Sequence, residues 1–246
     1  MSDKSQNIFN DPEFFAGYSA LRGQSDNLNV LIEQPEIKKL LPDVTGKRVL
    51  DLGCGYGTNC AEFAAAGASR VVGVDLSEKM LSVARSEHGG ENITFLQMDM
   101  NDVDRIDGKF DLIFSSLAFH YVEDFSSFAK KLYGKLDDGG VLLFSQEHPL
   151  NTAGDDGFNC DENGNAVSFN LRDYAIPGKR KVDWIVTGVE KYHRTFSGIL
   201  NPLIEAGFKI QKLVETTPSK EAIAIRPRVV KHFIRPIYLL VLAKKD

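Results

Sequence analysis

Tryptophan occurs once, cysteine three times and methionine four times in these 246 residues. The three cysteines, Cys54, Cys60 and Cys160, fit neither an even disulfide framework nor a zinc-ligand spacing. No His/Cys/Asp/Glu cluster has metal-ligand spacing either, so no metal is expected. No apolar run approaches the roughly 18 residues of a membrane span, and PIYLLVLA has only the length of a buried strand. The start, MSDKSQN, lacks the charged-then-apolar pattern of a signal peptide. These absences predict a cytoplasmic protein with no membrane partner.

Charge of one sign is also scarce. The net charge is -5, with no long block of like charges. That argues against nucleic acid as a partner, which usually calls for a basic field. Two local basic stretches stand out: Lys179-Arg180-Lys181, and the group Arg226, Arg228, Lys231, His232 and Arg235. Both read first as solvated loops or strand ends, with an anionic partner as the alternative.

What is present is an alternation of short apolar runs and helical stretches. RVLDLG, SRVVGVD, NITFLQMD, KFDLIFSSL and VLLFSQEH read as buried strands. Between them lie TNCAEFAAAG, SEKMLSVARSEH and DFSSFAKKLYGKL, which read as helices, with Ser77 as an N-cap. Such a pattern predicts a parallel sheet with helices on both faces. Residues 28–41 read as two short helices meeting at Pro35. Residues 151–165, rich in Gly, Asn and Asp, read as loop, followed by short strands without crossover helices. A helix (TFSGILNPLIEAG) and two strands (FKIQKLVE, IYLLVLAK) close the pattern. Only a loop is expected between those strands, at 216–235, which suggests an antiparallel pair.

The segment from Val49 to Gly57 reads D-x-G-x-G-x-G where a strand meets a helix. Gly53 and Gly55 let the backbone turn sharply and approach a ligand. A dinucleotide fingerprint needs its third glycine at position 58, which is Thr58; here the third glycine is Gly57. Asp75 ends the second strand and can accept both hydroxyls of a ribose. Asp99 ends the third and can accept from an adenine amino group, with Met98 and Met100 beside the ring. Three acids at the carboxyl ends of successive parallel strands line the crevice where open α/β sheets bind ligands.

With these motifs the chain resembles the class I S-adenosylmethionine (SAM)-dependent methyltransferases. LDLGCGYG, GVDLSEKML, FLQMDM, FDLIFSSLAFHYVED and LDDGGVLLFS match the family in order over about residues 47–145. The flanks (YSALR, SQEHP, YHRTFSGILNPLIEAGF) resemble a bacterial subgroup of small-molecule methyltransferases. The resemblance implies an α/β, Rossmann-like seven-stranded sheet, mostly parallel with the last strand antiparallel, helices on both faces and a small cap insertion. It divides the chain into an N-terminal helical lid (1–46), a SAM-binding core (47–149), a substrate cap (150–194) and a C-terminal part of the core sheet (195–246). By the same resemblance Asp51, Gly53, Cys54, Gly55 and Gly57 surround the methionine part of SAM. Asp75, with Leu76 and Met80 of the same motif, holds the ribose side, and Asp99 and Met100 the adenine. Ser115, Ser116, Leu117 and His120 border the sulfonium, while Tyr18 and Arg22 close over the cofactor.

The implied activity is transfer of a methyl group from SAM to a small-molecule acceptor, leaving S-adenosylhomocysteine. A nucleic-acid or protein methyltransferase and a noncatalytic SAM binder are the alternatives. His120, His148 and His193 are the candidates for a general base, needed only if the acceptor atom carries a proton. Tyr121, Glu147, Tyr192 and Trp184 are further candidates for the acceptor side. The acceptor atom and the oligomeric state, monomer or homodimer, stay open.

Overall fold

A computed structural model of the chain describes residues 6–246. Of the expected lid, residues 1–5 lie outside the described residues. The elements follow in chain order. Helix α1 (Pro12–Arg22) and a π-helical turn (Asn29–Glu33) lead into α2 (Gln34–Lys38). Then come β1 (Arg48–Leu52), α3 (Thr58–Ala65), β2 (Arg70–Asp75), α4 (Glu78–His88), β3 (Ile93–Gln97), β4 (Phe110–Ser116), α5 (Phe125–Lys135) and β5 (Leu136–Glu147). A short α6 (Pro149–Thr152) precedes two hairpins, β6 (Gly154–Cys160) with β7 (Ala166–Arg172) and β8 (Gly178–Trp184) with β9 (Val186–His193). The chain continues through α7 (Phe196–Ala206), β10 (Lys209–Glu215), α8 (Lys220–Ile225), a 3-10 helix (Pro227–Phe233) and β11 (Tyr238–Lys244).

Seven strands form one sheet in the order β3-β2-β1-β4-β5-β11-β10. All neighbours pair in parallel except β11, which is antiparallel to both β5 and β10. The near-continuous apolar runs of the central strands follow from burial on both faces. Val49, Val71, Leu112, Phe114 and Leu143 pack on one side; Leu50, Val72, Ile113, Leu142 and Phe144 pack on the other. Each such side chain stabilises the fold by about 1.5–3 kcal/mol relative to exposure. The amphipathic α5 and α7 cover the second face, while α3 and the lid's Leu31, Ile32 and Ile37 cover the first.

Helix starts carry the caps their sequences supply. Asp11 accepts from Glu13 N and Phe14 N at α1, Ser77 from Met80 N at α4, and Asp124 from Ser127 N at α5. Pro35 sits in the first turn of α2, where its missing N–H is harmless. Two stretches differ from the sequence reading. Part of 151–165 is strand, because β6 pairs antiparallel with β7. The 216–235 connection holds α8 and the 3-10 helix, each anchored by a buried residue, Ala222 and Val229.

Candidate functional site

The β1–α3 turn is tied to β2. Gly53 N and Cys54 N both donate to Val74 O, at 2.8 and 3.0 Å. Gly55 N donates to Asp75 Oδ2 at 2.9 Å, and Ser77 N donates to Asp75 Oδ1 at 2.8 Å. One backbone N–H thus fixes each carboxylate oxygen and leaves each further lone pairs for hydroxyl donors. Burial nevertheless raises the Asp75 carboxyl above its ordinary range, against the pull of those N–H groups.

Gly53, Gly55 and Gly57 all have positive φ, a backbone conformation that favours glycine. Gly57 N-caps α3 with φ +78°, and a Cβ there would stand 2.7 Å from the Phe95 ring. Gly55, φ +54°, has nothing within 4 Å of its would-be Cβ and lines an open cavity. A side chain at Gly55 would fill space next to Asp75.

That cavity has a volume of about 820 Å³. Leu76, Met80, Met98 and Met100 line it, with Asp75 and Asp99 offering acceptors. Asp99 caps the 3-10 turn after β3, its Oδ1 accepting from Asn101 N and Asn101 Nδ2 at 2.9 and 2.8 Å. Cys54, Ser116 and Leu117 line the same space. Among the described residues Leu117 is one of three non-glycine residues with positive φ, at 55°, a conformation that costs on the order of 1–3 kcal/mol. Ser145 holds it there: Leu117 N donates to both Ser145 O and Ser145 Oγ at 3.0 Å. Paired acids for a ribose and an amine, sulfur-rich walls for a flat ring and a glycine-floored turn fit an adenosyl cofactor.

The N-terminal helices add to the cavity wall. Tyr18 on α1 packs edge-on against Phe9 and Trp184, and Arg22 lies 5.9 Å over its ring. Tyr18 and Arg22 both line the cavity, and Arg22 donates to Asn29 Oδ1. Behind them sits Glu33, fully buried on the π-helical turn. Its Oε1 accepts from Ser145 Oγ at 2.7 Å and Ser116 Oγ at 2.9 Å; its Oε2 accepts from Asn29 Nδ2 at 2.7 Å and Gln34 Nε2 at 2.8 Å. Burial pushes this carboxyl upward despite four donors. Glu33 is absent from the sequence-based candidates, since a single glutamate in a short helix looks solvated.

The same cavity is also lined by the β8–β9 hairpin. Tyr121, Tyr192, Lys179 and Glu190 border it. Lys179 pairs with Glu190 at 2.9 Å and lies 5.7 Å over Tyr192. The sequence marked Lys179 only as part of a basic stretch and gave no signal for Glu190; hairpin pairing brings the two together.

Several sequence candidates lie elsewhere. Asp51 is fully buried beneath the turn rather than on the cavity wall. Its Oδ2 accepts from Cys60 Sγ at 3.4 Å, its Oδ1 has no partner, and burial pushes it up to about 7. Ser115 donates to Leu52 O at 2.7 Å within the sheet. His120 is buried off the cavity wall, its Nδ1 accepting from Glu147 N at 3.4 Å. Burial holds its ring neutral, at about 3, against the attraction of Glu147. His148 accepts from Leu150 N at Nδ1 and meets Glu215 at 2.8 Å through Nε2. His193 bridges Thr152 Oγ1 and Tyr174 O, both at 2.8 Å. The last two rings use both nitrogens structurally, and neither lines the cavity.

Glu147, at the end of β5, is ion-paired with Lys191, and Asn151 Nδ2 donates to it at 2.9 Å. Burial alone would raise this carboxyl, yet Lys191 and its other partners hold it below the ordinary range. Lys191 also stands 5.0 Å over Trp184, which is thereby part of the packing between hairpin and lid. Among the described residues no group of His, Cys, Asp and Glu side chains is arranged to hold a metal.

A sheet with an antiparallel strand inserted beside β5, and this crevice at its carboxyl end, define a SAM-dependent methyltransferase. Comparison with known proteins agrees, and the chain belongs to that family. Residues 50–144 match the methyltransferase-domain model. A Haemophilus influenzae protein is 36% identical over 85% of this chain and 85% of its own length. The crystal structure of a SAM-dependent methyltransferase from Mesorhizobium loti is 38% identical, covers 92% of this chain and 100% of that one, and superposes with a TM-score of 0.79. Trans-aconitate 2-methyltransferase of Deinococcus radiodurans is 32% identical over 44% of this chain and 40% of its own length. SAM is the cofactor.

Proposed function

We propose that the enzyme methylates a small-molecule acceptor held between the cofactor and the β8–β9 hairpin. The observation that carries this reading is the continuity of the cavity from Asp75 to Tyr192 and Lys179. Its 820 Å³ is within the range of about 300–1,000 Å³ for small-molecule sites. The likeness to an enzyme named for trans-aconitate supports an acceptor of that scale. Residues 150–194 then serve as the substrate cap, and the free cysteines suit a cytoplasmic setting.

Bound SAM supplies an electrophilic methyl group on a sulfonium, open to in-line displacement. The chain supplies position. Asp75 accepts from the ribose, Asp99 from the adenine amine, and Met80, Met98 and Met100 confine the ring. Arg22, steadied by Asn29 and Glu33, meets the cofactor carboxylate. Tyr18 and Tyr121 shape the passage in which the acceptor atom approaches, an orientation effect that can supply roughly 7–11 kcal/mol. His120, His148 and His193 act as structural residues in this reading, and Tyr121, though on the cavity wall, keeps its proton because desolvation pushes its hydroxyl well above the ordinary range. Incubation with methyl-labelled SAM and a fractionated cell extract tests it. Label in the low-mass fraction supports a small acceptor; label confined to RNA or protein refutes it.

A further inference from the structure

The connection between β10 and β11 lies at the site end of the sheet, because Tyr238 pairs with Glu147. Its inward residues, Ala222 and Val229, are buried. Its outward ones are large and apolar: Ile225 is 60% exposed, Phe233 57% and Val230 42%. Arginines 226 and 228 stand between them, also exposed. From Ala222 to Ala243 the sequence contains no Asp or Glu, although the protein has 34 of them. Among the described residues, none of Arg226, Arg228 and Lys231 forms an ion pair with a carboxylate. Partial burial, together with the like charges of Arg235, Arg226 and Arg228, holds Lys231 below the ordinary lysine range.

The stretch is anchored on both sides. Arg226 Nη1 donates to Asp26 O at 3.2 Å, which fixes it to the lid, where Val30 is 43% exposed. Lys231 lies 5.4 Å over Phe158 on β6, and Arg235 lies 4.8 Å over Phe169 on β7. The neighbouring β7 adds exposed Val167 and Leu171. We propose that residues 224–235, with the adjoining rims of the lid and the β6–β7 hairpin, dock the protein peripherally on an anionic lipid bilayer. Arginines alone would suit any polyanion. Apolar side chains interleaved with them match the headgroup–acyl boundary, where cations meet lipid phosphates and the apolar groups leave water. No helix among the described residues is long and apolar enough to cross a membrane, so this contact is with the surface alone. It departs from the expectation of no membrane partner and makes the anionic-partner reading of the second basic stretch the operative one.

Co-sedimentation of the full chain with vesicles tests the proposal. Vesicles of phosphatidylcholine mixed with phosphatidylglycerol should pull the protein down, vesicles of phosphatidylcholine alone should not, and added salt should weaken the binding. The double variant Arg226→Ser/Arg228→Ser should lower partitioning roughly thirty-fold, at about one decade per 1.4 kcal/mol and ~1 kcal/mol per cation. Phe233→Ser should lower it without changing charge. S-adenosylhomocysteine affinity, unchanged in both variants, shows that they are folded. Equal binding to both vesicle types, no binding to either, or variants that bind as the parent does would overturn the proposal. So would binding to duplex DNA without binding to the vesicles.

Discussion

Ser145 Oγ donates a 2.7 Å hydrogen bond to Glu33 Oε1 across 112 positions of sequence. The same hydroxyl accepts from Leu117 N. One serine thus joins a buried lid carboxylate to the strained turn that ends β4, and the lid's position is coupled to the floor of the cavity.

Replacing Glu33 by Gln keeps the shape but turns an amide donor toward groups that themselves donate. With a buried donor left unsatisfied, unfolding free energy should fall by about 1–3 kcal/mol. Affinity for S-adenosylhomocysteine should fall with it, because Asn29 would no longer steady Arg22. Denaturant unfolding and calorimetry read the two effects; an unchanged affinity would detach the lid from cofactor binding.

Asp75→Ala should weaken SAM binding by roughly 1–3 kcal/mol, the scale of a lost charge-assisted bond. Asp75→Asn retains acceptance from Gly55 N or Ser77 N, so it separates ribose recognition from turn geometry. If both variants titrate like the parent protein, the ribose role of Asp75 is wrong.

Asp51 gives a pH signature. Its folded pKa of about 7 lies above the ordinary value of 3.8, so between those limits the folded state binds more protons than the unfolded state. Stability therefore falls as pH rises through that window, and the full penalty is present above it. Asp51→Asn should flatten the decline in unfolding free energy between about pH 4 and about pH 7. A parallel decline in the variant would point to another group.

Lys191→Met would leave Glu147 buried without its cation, which costs about 3–5 kcal/mol. Pairing it with Glu147→Gln should recover much of that loss. A double-mutant cycle on thermal unfolding decides, and strict additivity would deny the coupling.

His120 should show no ring titration between pH 5 and 8 in a proton NMR series, since burial holds it neutral. A midpoint in that interval would return it to the candidates for general base.

The strands, their order of appearance and the placing of Asp75 and Asp99 at strand ends were legible because continuous apolar, β-branched runs and the turns that bound them are local signals. Side-chain direction was not. His120, His148 and His193 follow or end strands, where a catalytic base would sit, yet their rings turn to Glu147 N, Glu215 and Tyr174 O. Asp51 was read as a cavity residue from its motif, whereas packing against Cys60 draws it beneath the turn. The strand β6 was hidden among Gly, Asn and Asp because only its partner β7 makes it a strand. Glu33 and the Lys179–Glu190 pair depend on neighbours distant in sequence.

The inserted β11 also bears on how the protein is made. Phe144 and Leu142 on β5 are synthesised well before β11, which must pair beside them only after both hairpins, α7 and β10 have emerged. Until then β5 presents an open, apolar edge of the kind that recruits other strands. The cofactor turn at Gly53–Gly57 is already complete at that stage. A ribosome-bound chain could therefore present its cofactor turn while its sheet edge remained a target for chaperones or for aggregation.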